Sequence, residues 1–215
     1  MKPKKLSASI ALCLLNLLVA AQQDWTLKLD REGIKVYTKN NGASALKTIK
    51  AEYILNSSVA SLTAVLLNVE NSKEWIYGTK KVTLLKQLSA NEVIYYSEVG
   101  LPWPISNRDF IVDFSVTQDS LTKVVKAVSV NKPDLAPRYR DIVRVEESYS
   151  QWLITPLADG RLHVKYELTV DPGGCIPSWL VNLFATTGPY YTFQKLREQV
   201  EKPAYKATEL AFLKK

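Results

Sequence analysis

The stretch Gly100–Phe114, GLPWPISNRDFIVDF, sets two prolines around a tryptophan and then launches an alternating run. Proline fixes φ and withholds an N–H, so Pro102 and Pro104 turn the chain where no strand partner is expected. Beyond the corner, Phe110, Val112, Phe114 and Val116 share one parity, with Asp113 and Ser115 on the other. A period of two with one apolar side predicts a strand in an antiparallel sheet that is dry on one face and wet on the other. Arg108 and Asp109 stand at its start with no base or nucleophile beside them. We therefore read them as structural, a fold-holding ion pair or hydrogen-bonded pair.

The same alternation returns in Leu162, Val164, Tyr166, Leu168 and Val170, with His163, Lys165, Glu167 and Thr169 opposite. Further runs rich in β-branched and aromatic residues read as strands: GIKVYTK, ALKTIKAEYIL, KKVTLLKQL, NEVIYYSEV, LTKVVKAVSV and DIVRVEESYSQWLITPL. A short helix or turn is expected at Trp25. Helical spacing of Val59, Leu62, Val65, Leu66 and Val69, with caps in Asn56–Ser58, predicts a helix between the third and fourth strands. The last segment is helical from Pro177, with an apolar stripe through Trp179, Leu180, Leu183, Phe184, Phe193, Leu196 and Val200. Gly188-Pro189 should kink it and Pro203 should end or bend it. The assembly that buries both apolar faces is α+β, a curved antiparallel sheet closed by a long amphipathic C-terminal helix.

At 215 residues and 47% hydrophobic content, the chain suits one domain with a substantial core. Its first residues read as a secretory leader: Lys2, Lys4 and Lys5, the apolar run IALCLLNLLVA, and a small-residue end with cleavage after Ala21. Residues 1–21 are then the leader and 22–215 the domain, destined for a periplasm or the exterior. Removing three lysines and no acid lowers the formal charge from +7 to +4. That balance favours approach to an anionic membrane surface. There is no basic run interleaved with aromatics, which argues against nucleic acid. Cys175 would be the one remaining cysteine, so an internal disulfide is excluded in the mature chain and a monomer held by its core is expected.

Catalytic motifs are scarce. His163, the single histidine, sits on the polar parity of its strand without a triad around it. Cys175 follows a Gly-Gly turn and needs an activating base that the sequence does not identify. No HExxH, CxxC or clustered-acid spacing suggests a metal, and DPGGC lacks the Lys-Ser/Thr of a phosphate loop, so no cofactor is expected. The loop NKPDLAPRYRD interleaves Lys132, Arg138 and Arg140 with Leu135 and Tyr139. It reads either as an ordinary exposed loop or as one that touches a membrane, cations on lipid phosphates and apolar tips in the interface.

PWPISNRDFIV, VRVEESYSQWLITPL and DPGGCIPSWLVN, in this order and spacing, resemble the START (lipid-transfer) domain family, in its phosphatidylcholine transfer protein branch. The similarity spans the mature chain. It implies a helix-grip fold, in which the sheet wraps an apolar tunnel, the C-terminal helix is the lid, and one lipid or other hydrophobic molecule lies inside. The tunnel lining would be Trp75, Tyr95, Ser97, Trp103, Phe110, Val112, Phe114, Ser148, Trp152, Tyr166, Trp179 and Phe184. The loop carrying Lys132, Leu135, Arg138, Tyr139 and Arg140 would be the mobile gate at the mouth, in transient contact with a membrane. The choline-cage positions of that branch fall on Ser97, Phe110 and Ser148, its phosphate-binding arginine on Ser72 and a nearby aspartate on Ile76. One aromatic remains, so cation–π capture of choline is largely lost. Tyr95 and Phe114 stand where sterol carriers place an acid–base pair. The function implied is non-catalytic binding, with transfer or sensing, of a hydrophobic ligand. The alternative is a cyclase or aromatase-type enzyme on the same scaffold, for which Glu146 and Tyr95 are the candidate groups.

Overall fold

A computed structural model of the chain describes residues 25–39 and 47–214. The leader and its cleavage point lie outside these residues. Ten strands form one sheet: β1 (Trp25–Arg31), β2 (Ile34–Lys39), β3 (Lys47–Leu55), β4 (Thr79–Ser89), β5 (Glu92–Val99), β6 (Asn107–Gln118), β7 (Val125–Asn131), β8 (Ile142–Arg144), β9 (Ser148–Pro156) and β10 (Leu162–Val170). The order across the sheet is β1-β2-β3-β10-β9-β7-β6-β5-β4, antiparallel throughout, with the short β8 added parallel to the start of β6. Register slips at three places between β4 and β5 and one between β1 and β2. Bulges of this kind bend a strand and increase twist, so irregularity at both edges curves the sheet.

One face of the sheet is covered by helices. α1 (Val59–Leu67) begins at Ser58, whose hydroxyl accepts from the Ser61 N–H at 3.0 Å, and passes into a 3₁₀ turn, Val69–Glu74. The C-terminal helix runs over 178–200 as α2 (Ser178–Asn182), a π turn (Leu183–Thr187) and α3 (Gly188–Val200), and α4 (Pro203–Lys206) follows. The expected kink at Gly188-Pro189 is thus a widened turn just before the pair. Phe193, Leu196 and Val200 of α3 are fully buried against the sheet. Phe193 sits among Tyr53, Trp152 and Tyr166, with ring centroids 4.8, 5.6 and 5.9 Å away.

Two local readings are corrected. Trp25 opens a strand and not a helix or turn, because Glu32 and Gly33, both at positive φ, make a tight turn that folds β1 onto β2. DIVRVEESYSQWLITPL is two strands, since Val145–Glu147 leaves the sheet between β8 and β9.

Candidate functional site

Between the sheet and the C-terminal helix lies a cavity of about 300 Å³. Strand parity supplies its walls. Tyr95, Ser97 and Val99 come from β5, Arg108, Phe110 and Val112 from β6, Ser148, Ser150 and Trp152 from β9, and Tyr166, Leu168 and Val170 from β10. The roof is Leu180, Val181, Phe184, Ala185 and Phe193, and Trp75, Ile76 and Tyr77 close the side. The Tyr77 N–H donates to Thr192 Oγ1 at 3.0 Å and its ring meets Phe184 at 5.4 Å, which ties this wall to the roof.

Nine of the expected lining residues face this cavity: Trp75, Tyr95, Ser97, Phe110, Val112, Ser148, Trp152, Tyr166 and Phe184. Phe114 lies one step deeper, in a recess of about 90 Å³ that it shares with Trp75, Tyr95, Trp152 and Tyr166. Trp103 and Trp179 are corrections, because neither lines the cavity and they are 93% and 59% exposed. The corner between Pro102 and Pro104 points Trp103 outward. In α2 it is the next residue, Leu180, that turns inward.

The deep end is polar without being charged. Ser129 and Ser150 join Tyr95 and Tyr166 on the lining of this end. Burial pushes Tyr166 up to about 12 and Tyr95 further, so both are neutral donors at ordinary pH. The Trp75 indole N–H is buried and has no acceptor among the described residues. Glu146 lies elsewhere. It is exposed and held by Arg138 at 2.6 Å, which keeps its carboxyl below the usual range. The two groups a catalytic reading needs, Tyr95 and Glu146, are therefore not brought together.

Arg108 and Asp109 are both buried but do not pair with each other, since neighbours on a strand point to opposite faces. Asp109 turns to the outer face, where Arg144 Nε and Nη2 donate to its two carboxylate oxygens at 2.7 and 3.1 Å. Arg144 also donates to the carbonyls of Pro133, Ala136 and Pro137. Arg108 turns inward and donates to the carbonyls of Ser106, Pro172 and Gly173. Arg144 was missed because its role depends on a parallel pairing between β8 and β6, which sequence periodicity does not show.

The loop of Lys132, Leu135, Arg138, Tyr139 and Arg140 runs along the outside of β6, from the level of Ile111 to that of Asn107. None of these five residues lines the cavity. Leu135 and Tyr139 are half exposed and Tyr139 packs edge-on against Tyr96 at 5.3 Å. The loop is thus pinned from beneath by Arg144.

The model of the START domain family matches residues 6–205. The mouse phosphatidylcholine transfer protein is 32% identical over 173 residues, 77% of this chain and 78% of its own. An uncharacterized protein of Pseudomonas aeruginosa is 31% identical over 183 residues, 85% of this chain and 90% of its own. Among solved structures, a STAR-related lipid transfer protein fragment from Xanthomonas axonopodis superposes with a TM-score of 0.75 at 31% identity, covering 83% of this chain and 99% of that one. The Zhui aromatase/cyclase of Streptomyces shares the fold alone, with a TM-score of 0.52 at 10% identity over 74% of this chain and 98% of its own.

Proposed function

This chain belongs to the START domain family, and we propose that its cavity holds one lipid or similar hydrophobic molecule for transfer or sensing, without catalysis. The observation that carries this reading is the cavity between sheet and helix, with walls that are mainly aliphatic and aromatic side chains, a few neutral hydrogen-bonding groups and two cations, Lys47 and Arg108. Acyl burial would drive uptake at about 0.8 kcal/mol per CH₂. The enzyme reading loses its acid, because Glu146 is on the surface in an ion pair.

Entry is assigned to the lid's first half. Gly173 and Gly174, both at φ +63, precede α2, and the π turn follows it. α3 stays anchored through Phe193, Leu196 and Val200. Exposed Trp103 and Trp179 each stand within two residues of a cavity-lining leucine, Leu101 and Leu180, and so mark the rim. Tryptophan favours the membrane interface, and the basic loop with Lys132 and Arg140 would add attraction to anionic lipid. The protein would act as a monomer after export across a membrane, in a periplasm or outside the cell. Sequencing the mature protein from an exported fraction should read from Gln22, and a retained leader would refute that placement.

The test is the mass of what co-purifies. Native mass spectrometry should find a hydrophobic ligand at one per chain. Ala185→Phe, which fills the space under the lid, should abolish loading while the fold persists. An empty protein after incubation with every lipid class, or unchanged loading of A185F, would overturn the reading.

A further inference from the structure

The charged groups that line the cavity are of one sign. They are Arg108 and Lys47, and no carboxylate lines it among the described residues. Arg108 is only 5% exposed, so its charge is held largely out of water, which is costly unless something compensates it. A guanidinium has five N–H donors. Nε donates to Pro172 at 3.0 Å, Nη2 to Gly173 at 2.9 Å, and Nη1 to Ser106. That leaves two donors with no protein acceptor and no carboxylate within ion-pair distance among the described residues.

The other deeply buried arginine shows the contrast. Arg144 has its carboxylate, Asp109, at 2.7 Å. Arg108 has only neutral carbonyls, which orient the guanidinium and do not cancel its charge. Burial accordingly lowers the Arg108 pKa, although a guanidinium stays protonated. Ser97, paired with Phe110, and Ser148, paired with Val170, line the same cavity, and exposed Lys47 sits opposite Val170 on the other side of β10.

We propose that Arg108, assisted by Lys47 and the Ser97 and Ser148 hydroxyls, is the head-group site for an amphiphile whose head carries a net negative charge, phosphate or carboxylate, and no fixed cation. A quaternary amine brought here would meet two cations, a single ring from Phe110 and no acid. This inference rests on the reading of the cavity as a lipid site.

The experiment incubates the purified protein with vesicles of equimolar phosphatidylcholine and phosphatidylglycerol containing a small fraction of oleate, re-isolates it and weighs the complexes. Charge-assisted hydrogen bonds support a preference of about tenfold or more for phosphatidylglycerol or oleate over phosphatidylcholine. Which of the two anions dominates identifies phosphate or carboxylate as the source. R108Q should bring that preference close to one while neutral diacylglycerol still loads, and R108K should keep a reduced preference. Because Arg108 also holds the 172–174 turn, far-UV circular dichroism accompanies both variants, and the unmodified protein's competition decides the matter if R108Q does not fold. Equal or better loading of phosphatidylcholine overturns the head-group assignment alone. Loading of no lipid at all overturns the lipid reading beneath it.

Discussion

Arg144→Met removes one guanidinium from beneath a loop whose residues Lys132, Leu135, Arg138, Tyr139 and Arg140 do not line the cavity, so its consequences separate anchoring from binding. The Arg144 and Asp109 side chains are each 1% exposed and joined by two hydrogen bonds. With the guanidinium gone, the Asp109 carboxylate stays buried without its partner, a change that costs about 3–5 kcal/mol. The carbonyls of Pro133, Ala136 and Pro137 also lose their donor, but they belong to a mostly exposed loop and can turn to water. Against a typical total of about 5–15 kcal/mol, the loss is a large fraction of stability. At roughly 2–4 °C per kcal/mol for a chain of this size, Tm should fall by about 6–20 °C. Urea denaturation gives the free energy directly, with an unchanged m-value marking a pure stability effect. The double variant Asp109→Leu/Arg144→Met replaces the pair with apolar groups and should recover most of the loss. Hydrogen exchange should rise over 132–142 in R144M, while lipid loading at a temperature where it is folded should match the unmodified protein. A loss below about 1 kcal/mol, or a double variant as unstable as the sum of the singles, would refute the argument.

Trp103→Ala with Trp179→Ala removes exposed rings only, so vesicle association should weaken several-fold with Tm unchanged, and undiminished binding would move the membrane contact away from the rim. The Tyr166 hydroxyl titrates near 12 in the fold against about 10 in an unfolded chain, so the folded state holds its proton longer. Stability from this group is complete below pH 10 and declines as pH rises from there to 12; Tyr166→Phe should flatten that decline, with Tyr95 contributing the same sign. Gly78, at φ +76, would set a Cβ 2.8 Å from Phe184, so Gly78→Val should raise lid exchange over 178–187, and an unchanged pattern would show that Phe184 does not hold the roof.

What was legible in the sequence is what one strand or helix determines by itself. Parity placed Phe110 and Val112 against the cavity and Tyr166 beside them, since each faces inward through its own strand's alternation. Trp179 failed because a helical stripe read from hydrophobicity admits a neighbour that geometry turns outward, and no local signal separates it from Leu180. Trp103 failed for a related reason, in that a proline corner sets chain direction without setting which way the ring between the prolines points. The pairing of Arg108 with Asp109 was misread because adjacency in sequence is opposition in a strand. Their true partners lie 35 residues away for Asp109 and 64 for Arg108, across a parallel strand and a turn. That separation has a functional consequence. The conspicuous Arg-Asp doublet divides its work between the two faces of one sheet: Asp109 fixes the outer loop through Arg144, and Arg108 carries a charge to the inner face and leaves it uncompensated. A ligand with an anionic head would complete on the inner face the neutralisation that the protein already supplies on the outer one.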